Sequence, residues 1–348
     1  MSKKFRVAIA GASGYAGAEL VRLAAAHPYY ELTAVTSEKS AGQRVSSVFP
    51  SLTGVVHHTF EALAPDALAE RADALFLALP HTKSQDPVAR CMDADKLVVD
   101  LSADYRLKDV NTYEKWYQTP HAYPHLLKEA VYGLPELHRS AIAKTKLVAS
   151  PGCYPTAAIL QLAPLFSQRL VQLDTIVIDA KSGVSGAGRS PALPYHFPEA
   201  HESIEPYKIG QHRHIPEIEQ ELGSISGSAV TITFTPHLVP MNRGILSTAY
   251  CKLKQHIPVN ELRALYRDFY KDERFVRVFE ESMPNPRYTK GSNYSDVAVY
   301  ADTRAGWVVT VSALDNLIKG AAGQAIQAMN IMMGIPEDTG LTAPGSYP

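Results

Sequence analysis

Short apolar runs recur along the first 150 residues of the chain. Residues 5–10 read as a buried strand, and a turn with three glycines at residues 11–17 leads into an alanine- and leucine-rich stretch that ends at about Ala26. Further apolar runs of strand length lie at residues 32–35, 74–79, 97–101 and 147–149. Buried strands separated by helix-compatible segments predict a parallel sheet with helices on both faces. We therefore expect a Rossmann-like, doubly wound α/β domain.

The pattern changes after residue 152. Residues 230–235 alternate apolar with polar side chains, as in a strand with one wet face, and residues 175–180, 296–300 and 307–311 are also strand-like. We expect residues 153–313 to form an α+β catalytic and oligomerisation domain with a mainly antiparallel sheet. Residues 316–332 have the apolar spacing of a helix, which should pack back so that residues 314–348 join residues 1–152. The tail after Ile335 is expected to be poorly ordered or to embrace the domains.

Composition points to a folded protein with a small ligand. With 348 residues, 46% of them hydrophobic, the chain is long enough for about two domains. The 34 basic and 35 acidic residues nearly cancel, and neither sign forms a long run. Such a balance does not favour nucleic acid or anionic lipid as a partner. No run approaches the roughly 18 apolar residues needed to span a membrane.

The N-terminus and the cysteines both favour a reducing cytoplasm. Met1-Ser2-Lys3-Lys4 is basic, but the apolar run behind it is interrupted by Arg6 and ends at the glycines, so a signal peptide is not expected. The three cysteines are odd in number and widely spaced, in a chain too large to need disulfides: Cys91, Cys153 and Cys251. We expect no disulfide framework.

The glycine turn is the first candidate binding site. It follows a strand and opens a helix, so its backbone N–H groups and the helix dipole can face a pyrophosphate. The candidate cofactor-binding residues here are Gly11, Ser13, Gly14, Tyr15, Ala16 and Gly17. The alternative is a packing turn without a ligand.

The end of the second strand favours NADP(H) over NAD(H). NAD enzymes usually place an acidic residue there to bind the ribose hydroxyls. This chain has Thr36 and Ser37 instead, with Lys39 close by, which suits a 2′-phosphate. Glu38 would repel that phosphate if it turned inward, and the two hydroxyls could instead simply begin a loop.

Cys153 is the candidate nucleophile. It follows Pro151-Gly152, and Pro155 suits the first turn of a helix that should run through Ala163. A free thiol, with a pKa of about 8.5, is only slightly ionised at neutral pH, and a helix N-terminus with a nearby imidazolium raises the thiolate fraction. Cys91 and Cys251 lack this setting and are expected to be inert.

The chemistry to partner Cys153 is densest at residues 210–218. His212, Arg213 and His214 supply imidazoles and a cation, and Glu217 follows Pro216 at an expected helix start. Two alternatives stay open, a pair of histidines on a solvated loop and a zinc site made with Cys153. No compact ligand spacing supports zinc, so we expect no metal.

Together these motifs resemble the N-acetyl-gamma-glutamyl-phosphate reductases of arginine biosynthesis, within the wider semialdehyde dehydrogenases. The matching segments run in order along the chain: residues 11–20, Ser102-Ala103-Asp104-Tyr105-Arg106, residues 151–156, the glycine-rich loop 182–189 and His212-Arg213-His214. The resemblance implies reduction of N-acetylglutamyl 5-phosphate by NADPH to the 5-semialdehyde, with release of phosphate. It also implies a homodimer or homotetramer.

The resemblance assigns roles to residues of this chain. Cys153 would form a thioester and His214 would transfer protons, with His212 orienting or binding the substrate. Ser182 and Gly183 would lie beside the nicotinamide, and Asn316 would bind its carboxamide. Further substrate-binding candidates are Arg106 for the leaving phosphate, and Glu217 and Arg243 for the acetylated amino acid; Arg106 could equally be a surface residue after a strand.

One departure and three rival functions stay open at this stage. After Leu79-Pro80-His81 the family usually has glycine, a small residue and serine, whereas this chain has Thr82-Lys83-Ser84, so close backbone approach to the cofactor there is in doubt. Lys83 could instead lie near the substrate phosphate. The rivals are a sister reductase acting on an aminoadipyl phosphate or a carrier-linked substrate, a cysteine hydrolase, and a non-catalytic NADP-binding sensor.

Overall fold

The structure is a computed structural model in which residues 4–347 are described. The first three residues of the basic N-terminal segment lie outside them. The chain divides into two compact units, which we describe separately. Unit 1 comprises residues 1–151 and 321–342, and unit 2 comprises residues 152–320 and 343–348.

Within residues 4–347, unit 1 contains six strands and eight α-helices. The strands are β1 (Phe5–Ala10), β2 (Tyr30–Val35), β3 (Ala74–Leu77), β4 (Leu97–Asp100), β5 (Val131–Tyr132) and β6 (Leu147–Ala149). The helices are α1 (Tyr15–Ala26), α2 (Val45–Val48), α3 (Pro65–Arg71), α4 (Gln85–Asp93), α5 (Val110–Tyr117), α6 (Pro124–Glu129), α7 (Pro135–Ile142) and, from the end of the chain, α13 (Gly323–Met332).

Among the described residues, unit 2 contains seven strands and five α-helices. The strands are β7 (Ile176–Gly183), β8 (Glu205–Pro206), β9 (Ile232–Val239), β10 (Ile245–Lys252), β11 (Val276–Val278), β12 (Ser295–Asp302) and β13 (Trp307–Leu314). The helices are α8 (Cys153–Ser167), α9 (Phe197–Ala200), α10 (Ile215–Ser226), α11 (Val259–Tyr270) and α12 (Pro286–Thr289).

The sheet of unit 1 is parallel throughout, which confirms the predicted doubly wound domain. Its strand order is β2-β1-β3-β4-β6-β5, and every neighbouring pair runs in the same direction. The strands are short and most of their residues are buried, as expected when helices cover both faces. The carboxyl ends of β1, β2, β3 and β4 lead directly into the segments with candidate chemistry.

The sheet of unit 2 is mixed, in the order β11-β12-β13-β10-β7-β9-β8. Four of its six neighbouring pairs are antiparallel, while β7 pairs with β9 and β11 with β12 in parallel. The prediction of a mainly antiparallel α+β domain is therefore confirmed. Along β7 and β10 buried residues alternate with half-buried ones, so one face is packed and the other is partly open.

Helix α8 fills the centre of unit 2. Residues 154–166 are all buried, and the helix packs against α10, β10, β12 and β13. Pro164 lies inside it and has no N–H for the carbonyl of Leu160. The hydroxyl of Tyr270 donates to that carbonyl, and the hydroxyl of Tyr266 donates to Gln161 O at 2.5 Å. Two tyrosines of α11 thus satisfy the backbone that the proline disturbs.

The helix predicted at residues 316–332 begins later than expected. Residues 316 and 317 form a turn, Ile318–Ala322 is a π-helix, and the regular α-helix starts at Gly323. Helix α13 then packs against α1, α7 and β4 within unit 1. Asn330 Nδ2 donates to the carbonyls of Glu337 and Thr339, so the expectation of a poorly ordered tail is wrong for residues 336–342.

No helix within residues 4–347 has both the length and the apolar character required to cross a bilayer.

Candidate active site

Cys153 is the first residue of α8. Gly152 is its N-cap, with extended dihedrals of −68° and 155°, and the helix continues for 15 residues to Ser167. The thiol is partly exposed. A thiolate at this position faces the positive end of the helix dipole, which favours the charged form.

Glu217 holds the turn that carries Cys153. Its Oε1 atom accepts the main-chain N–H of Gly152 at 2.8 Å, and the side chain is 1% exposed. A carboxylate also satisfies one of the N–H groups that a helix start leaves without an intrahelical partner. Glu217 thus contacts the nucleophile's turn.

His214 lies directly against Gly152. A Cβ atom added to Gly152 would be 2.3 Å from His214 Nε2, so only glycine leaves room for the imidazole. His214 also begins α10, where its carbonyl accepts the N–H of Ile218 at 3.0 Å. The structure therefore brings Cys153, His214 and Glu217 together around one glycine.

His212 supports His214. Its Nδ1 atom accepts the main-chain N–H of His214 at 3.2 Å, so in the neutral ring the proton is on Nε2. Its ring packs edge-on against Tyr154, Tyr207 and Phe234. Burial, with Lys208 and Arg213 adding positive charge, lowers the pKa of His212 to about 4. The ring is therefore neutral at pH 7, and the pair does not form a solvated loop.

The other two cysteines differ from Cys153. Cys91 and Cys251 are buried free thiols, and burial is the main cause that raises the pKa of each to about 12. Both remain protonated at neutral pH, as expected of inert core cysteines.

The candidate nicotinamide residues of unit 2 form one packed group. Asn316 is 2% exposed; its Oδ1 atom accepts the N–H of Gly244 at 2.7 Å, and its Nδ2 atom donates to Ser185 Oγ at 3.1 Å. A Cβ atom on Gly183 would lie 2.7 Å from Asn242 O, so the end of β7 needs a glycine there. Ser182 is buried beside it, with Oγ donating to Gly183 O.

The glycine turn of unit 1 has the compact form that the sequence predicts. Gly11 has φ of +76°, and a Cβ atom on Gly17 would lie 2.4 Å from Gly11 O. Gly14 is the N-cap of α1, so no side chain of the N-cap residue accepts a hydrogen bond from the first turn. Tyr15 is exposed at the start of the helix. Main-chain N–H groups at a bare helix start fit a pyrophosphate, and Ser13 and Ala16 lie in the same turn.

The hydroxyls after β2 pack into this turn. Thr36 Oγ1 accepts the N–H of Gly11 at 3.4 Å, and Ser37 Oγ lies 2.6 Å from Ser13 Oγ. Glu38 does not turn inward onto them, because its Oε1 atom accepts the N–H of Leu63 at 2.7 Å. Lys39 is exposed. The carboxylate of Glu38, which would repel a 2′-phosphate, is thus bound to Leu63 and does not face the two hydroxyls.

Arg106 is buried, so the alternative of a surface arginine is wrong. It is 4% exposed, its Nε atom donates to Ser150 O at 2.8 Å, and its Nη2 atom donates to Leu101 O at 2.9 Å. The guanidinium therefore fixes the backbone three residues before Cys153 in the sequence. Phosphate binding by Arg106 stays a prediction.

The departure from the family pattern at Thr82 has a structural counterpart. Thr82 has φ of +68°, an unusual conformation for a β-branched residue. Its N–H donates to Asp104 Oδ1 at 2.7 Å, and the N–H of Ser84 donates to Asp104 Oδ2 at 2.9 Å. Asp104 thus holds the left-handed turn, while Lys83 is exposed.

Among the residues that the structure describes, no group of three or more histidine, cysteine, aspartate or glutamate side chains is arranged to hold a metal ion.

Two family models match most of the chain. The model of the semialdehyde dehydrogenase NAD binding domain matches residues 6–145, and that of the semialdehyde dehydrogenase dimerisation domain matches residues 153–316. Proteins named N-acetyl-gamma-glutamyl-phosphate reductase are similar over nearly the full length. Those of Desulforamulus reducens and Geotalea daltonii are 51% and 54% identical, each over 99% of both chains.

The chain belongs to the N-acetyl-gamma-glutamyl-phosphate reductase family.

Solved structures of semialdehyde dehydrogenases share the fold of this reductase family member. Aspartate semialdehyde dehydrogenase II of Vibrio cholerae, complexed with ASA, has a TM-score of 0.73 at 16% identity and covers 96% of this chain and 99% of its own. The Candida albicans aspartate semialdehyde dehydrogenase with NADP has a TM-score of 0.70 at 16% identity, over 95% and 99%. These likenesses support the two-unit fold.

Several residues of this N-acetyl-gamma-glutamyl-phosphate reductase family member were not foreseen from the sequence. Gly152 leaves room for His214, Tyr207 packs on His212, and Asp104 holds the turn at Thr82. Glycine beside a candidate nucleophile was the one signal available for the first. The contact of Tyr207 with His212 spans five residues and depends on how the loop before α10 folds. The contact of Asp104 with Thr82 joins residues 22 positions apart in the sequence.

Proposed function

We propose that this chain catalyses the NADPH-dependent conversion of N-acetylglutamyl 5-phosphate into N-acetylglutamate 5-semialdehyde and phosphate, in arginine biosynthesis. The observation that carries the proposal is the arrangement at Gly152, where the start of α8 presents Cys153 and the bare glycine admits His214. Relatives more than 50% identical over 99% of the chain have the corresponding name. A hydrolase or a sensor would leave the pyrophosphate turn or the Cys–His pair without a role.

The chemistry begins at Cys153. Its thiolate attacks the acyl carbon of the acyl phosphate, the acyl–oxygen bond breaks, and phosphate leaves with the bonding electrons, so that a thioester remains. NADPH, when bound, supplies the hydride that reduces this thioester. The thiohemiacetal on Cys153 then collapses, the carbon–sulfur bond breaks, and the aldehyde leaves.

His214 moves the proton in these steps. It donates to the oxyanion of the reduced adduct and takes the proton back as the aldehyde forms. The His212 ring is neutral, and its Nδ1 atom accepts the main-chain N–H of His214. Its role is therefore to orient His214. Glu217 holds the Gly152 N–H and so keeps the start of α8 in place for attack.

The remaining substrate contacts are assigned by charge. Arg106 is our candidate for the departing phosphate, since a guanidinium matches phosphate oxygens. Arg243 would bind the acetylated amino acid, and Glu217 is the second candidate for contacting it. The side-chain pocket that separates N-acetylglutamyl from aminoadipyl phosphate has to be tested by substrate competition, because one methylene changes affinity by only about 1–3 kcal/mol.

The fit to the cofactor favours NADP(H). Main-chain groups of Gly11, Ser13, Gly14, Tyr15, Ala16 and Gly17 would hold the pyrophosphate, and Ser182, Gly183 and Asn316 the nicotinamide end. Thr36, Ser37 and Lys39 would receive the 2′-phosphate, since the carboxylate of Glu38 is bound to Leu63 N–H. Cation and hydroxyls suit a phosphate better than a diol.

We infer that the protein is cytoplasmic and forms a homodimer or a homotetramer. Its three cysteines are free, as in reducing compartments. The half-buried face of the unit 2 sheet has an apolar row, in which Val309 pairs with Tyr250 and Tyr250 with Val177. Tyr250 is 39% exposed. A second copy of this chain would cover that row.

The reverse reaction tests the function directly. We expect NADP reduction when N-acetylglutamate 5-semialdehyde and phosphate, or arsenate, are mixed with the purified chain, and none without the anion. Aminoadipate semialdehyde in the same assay tests the nearest rival. No cofactor reduction with either aldehyde would reject a dehydrogenase, and equal turnover of both would reject the N-acetylglutamyl preference.

A further inference from the structure

The segment 315–320 touches the nucleophile at its own Cα and Cβ atoms. A Cβ atom added to Gly320 would lie 2.8 Å from Cys153 Cβ and 3.2 Å from Cys153 Cα. Neither is the free end of a flexible side chain, so neither can move aside without moving the start of α8. Gly320 therefore fixes how closely this segment approaches the residue that carries the sulfur.

Gly320 is placed by Asp315 through the backbone. The Gly320 N–H donates to Asp315 O at 2.9 Å, a hydrogen bond with the five-residue spacing of a π-helix, and it leads into the π-helix that begins at Ile318. Single π-helical turns occur frequently at functional sites. Here the wider turn brings an unsubstituted Cα against Cys153.

The carboxylate of Asp315 is fully buried and anchors the same turn. Its Oδ1 atom accepts the N–H of Leu317 at 2.8 Å and of Ile318 at 3.3 Å, and its Oδ2 atom accepts the N–H of Gly291 at 2.7 Å. A buried carboxylate that accepts three main-chain hydrogen bonds is fixed in position.

The same carboxylate faces Arg243. The Nε atom of Arg243 lies 3.6 Å from Asp315 Oδ2, and the two side chains are 18% and 0% exposed. The next residue, Asn316, accepts the N–H of Gly244. Asp315 and Asn316, which follow β13, thus contact Arg243 and Gly244, which precede β10. Arg243 is the candidate residue for binding the acetylated amino acid.

We propose that Asp315 is a positioning residue for the reaction, which orients Arg243 with its carboxylate and seats Cys153 with its carbonyl through Gly320. The part of this inference that concerns Arg243 rests on the proposed function, because it assumes the substrate. The part that concerns Cys153 does not, because it is a contact within the chain. One residue therefore couples the anchoring of the substrate to the placement of the thiol.

The test compares Asp315→Asn with Asp296→Asn in the full-length protein. Asp296 is also fully buried and paired with an arginine, Arg277, at 2.6 and 2.9 Å, so it controls for the loss of a buried Asp–Arg pair. For Asp315→Asn we expect the KM of the semialdehyde to rise about tenfold, as for loss of one charge-assisted contact. We also expect iodoacetamide to alkylate Cys153 at a rate at least about threefold different from wild type, with a displaced pH profile. Asp296→Asn should lower Tm and leave both readouts unchanged.

A second pair of variants separates the seating of the thiol from the substrate contact. Gly320→Ala should change the alkylation rate of Cys153 and lower kcat, with the KM unchanged. Gly223→Ala, where the added Cβ would lie 3.2 Å from Ser228 O away from Cys153, is its control and should alkylate as wild type does.

Wild-type alkylation and KM in Asp315→Asn, with only Tm lowered, would overturn the proposal. If that variant does not fold, Gly320→Ala decides, and an unchanged alkylation profile there overturns the seating of Cys153. Alkylation needs neither substrate nor cofactor. A wild-type chain that turns over no semialdehyde would therefore reject the proposed function, while the alkylation results still decide the role of Asp315.

Discussion

His214 Nε2 lies where a side chain on Gly152 would have to be, 2.3 Å from the position of a Cβ atom. Replacing Gly152 with alanine must therefore displace the imidazole or the start of α8. We expect Gly152→Ala to lower kcat by roughly 10²-fold, because misplacement by about 1 Å has that effect, with little change in KM. Steady-state kinetics of the reverse reaction measures both. Gly223→Ala serves as the glycine control, and near-normal kcat in Gly152→Ala would show that the contact is dispensable.

Proton transfer by His214 should be separable from thiol activation. We expect His214→Asn to lower kcat by about 10²- to 10⁴-fold, the usual contribution of a general acid or base. Alkylation of Cys153 should also slow, since the imidazole supports the thiolate. Alkylation of the Cys153→Ala variant measures labelling at other residues. We expect little of it, because Cys91 and Cys251 have pKa values of about 12. Unchanged alkylation in His214→Asn would limit His214 to proton transfer.

Lys39 should discriminate between the two reduced cofactors. We expect Lys39→Ala to raise the KM for NADPH about tenfold, the value of one charge-assisted contact, and to leave the KM for NADH unchanged. NADH is the internal control, since it has no 2′-phosphate. Equal Michaelis constants for NADPH and NADH in the wild-type chain would sink the NADP assignment before any variant is made.

Asp100 should make the stability of the protein depend on pH. Burial, with the Asp104 carboxylate next in importance, raises the pKa of Asp100 from 3.8 to about 7. A carboxyl group whose pKa is higher in the folded than in the unfolded protein contributes its full stabilisation below the unfolded-state pKa. This stabilisation is lost as the pH rises through the folded-state pKa. We therefore expect the free energy of unfolding to fall between about pH 4 and pH 7 through this group.

The variant Asp100→Asn cannot ionise and should not show that loss. Since one pH unit across such an interval corresponds to about 1.4 kcal/mol, we expect the variant to gain up to a few kcal/mol on the wild type between pH 4 and pH 8. Thermal or urea unfolding at several pH values measures it. Burial lowers the pKa of His27 to about 4, but this acts equally in both proteins and cancels in the difference. A pH-independent difference would contradict the assignment.

The apolar row on the unit 2 sheet should be an interface between copies of the chain. We expect Val309→Glu, which places a charge opposite Tyr250, to shift sedimentation from dimer to monomer at micromolar concentration. Arg304→Glu also changes charge, at a side chain that is 91% exposed, and should leave the oligomer intact. A Val309→Glu protein that sediments as the wild type would place the interface elsewhere.

Much of the fold follows from local patterns, because parallel buried strands, a glycine turn and a helix start each have short sequence signatures. The sequence patterns described above do not predict strand β10, although Ile245–Lys252 alternates buried residues with half-buried or exposed ones. The apolar spacing of residues 316–332 predicts one continuous α-helix and does not reveal the π-helix at Ile318–Ala322, because the two helix types differ by less than one residue per turn.

The candidate site divides in the same way. Cys153 and His214 could be named from residue type and neighbours, but the dependence of His214 on a bare Gly152 is a distance between two segments more than sixty residues apart. Likewise, nothing near Asp315 in the sequence indicates that it faces Arg243. Such contacts are set by the packing of unit 2 and not by local preference.

The proline in α8 has a consequence for the order of folding. The carbonyls of Gln161 and Leu160 receive their hydrogen bonds from tyrosines 105 and 110 positions later in the chain. Long-range contacts of this kind form late, because a long loop must close first. On a ribosome, the carbonyls around Pro164 therefore receive these hydrogen bonds only after α11 has emerged and docked.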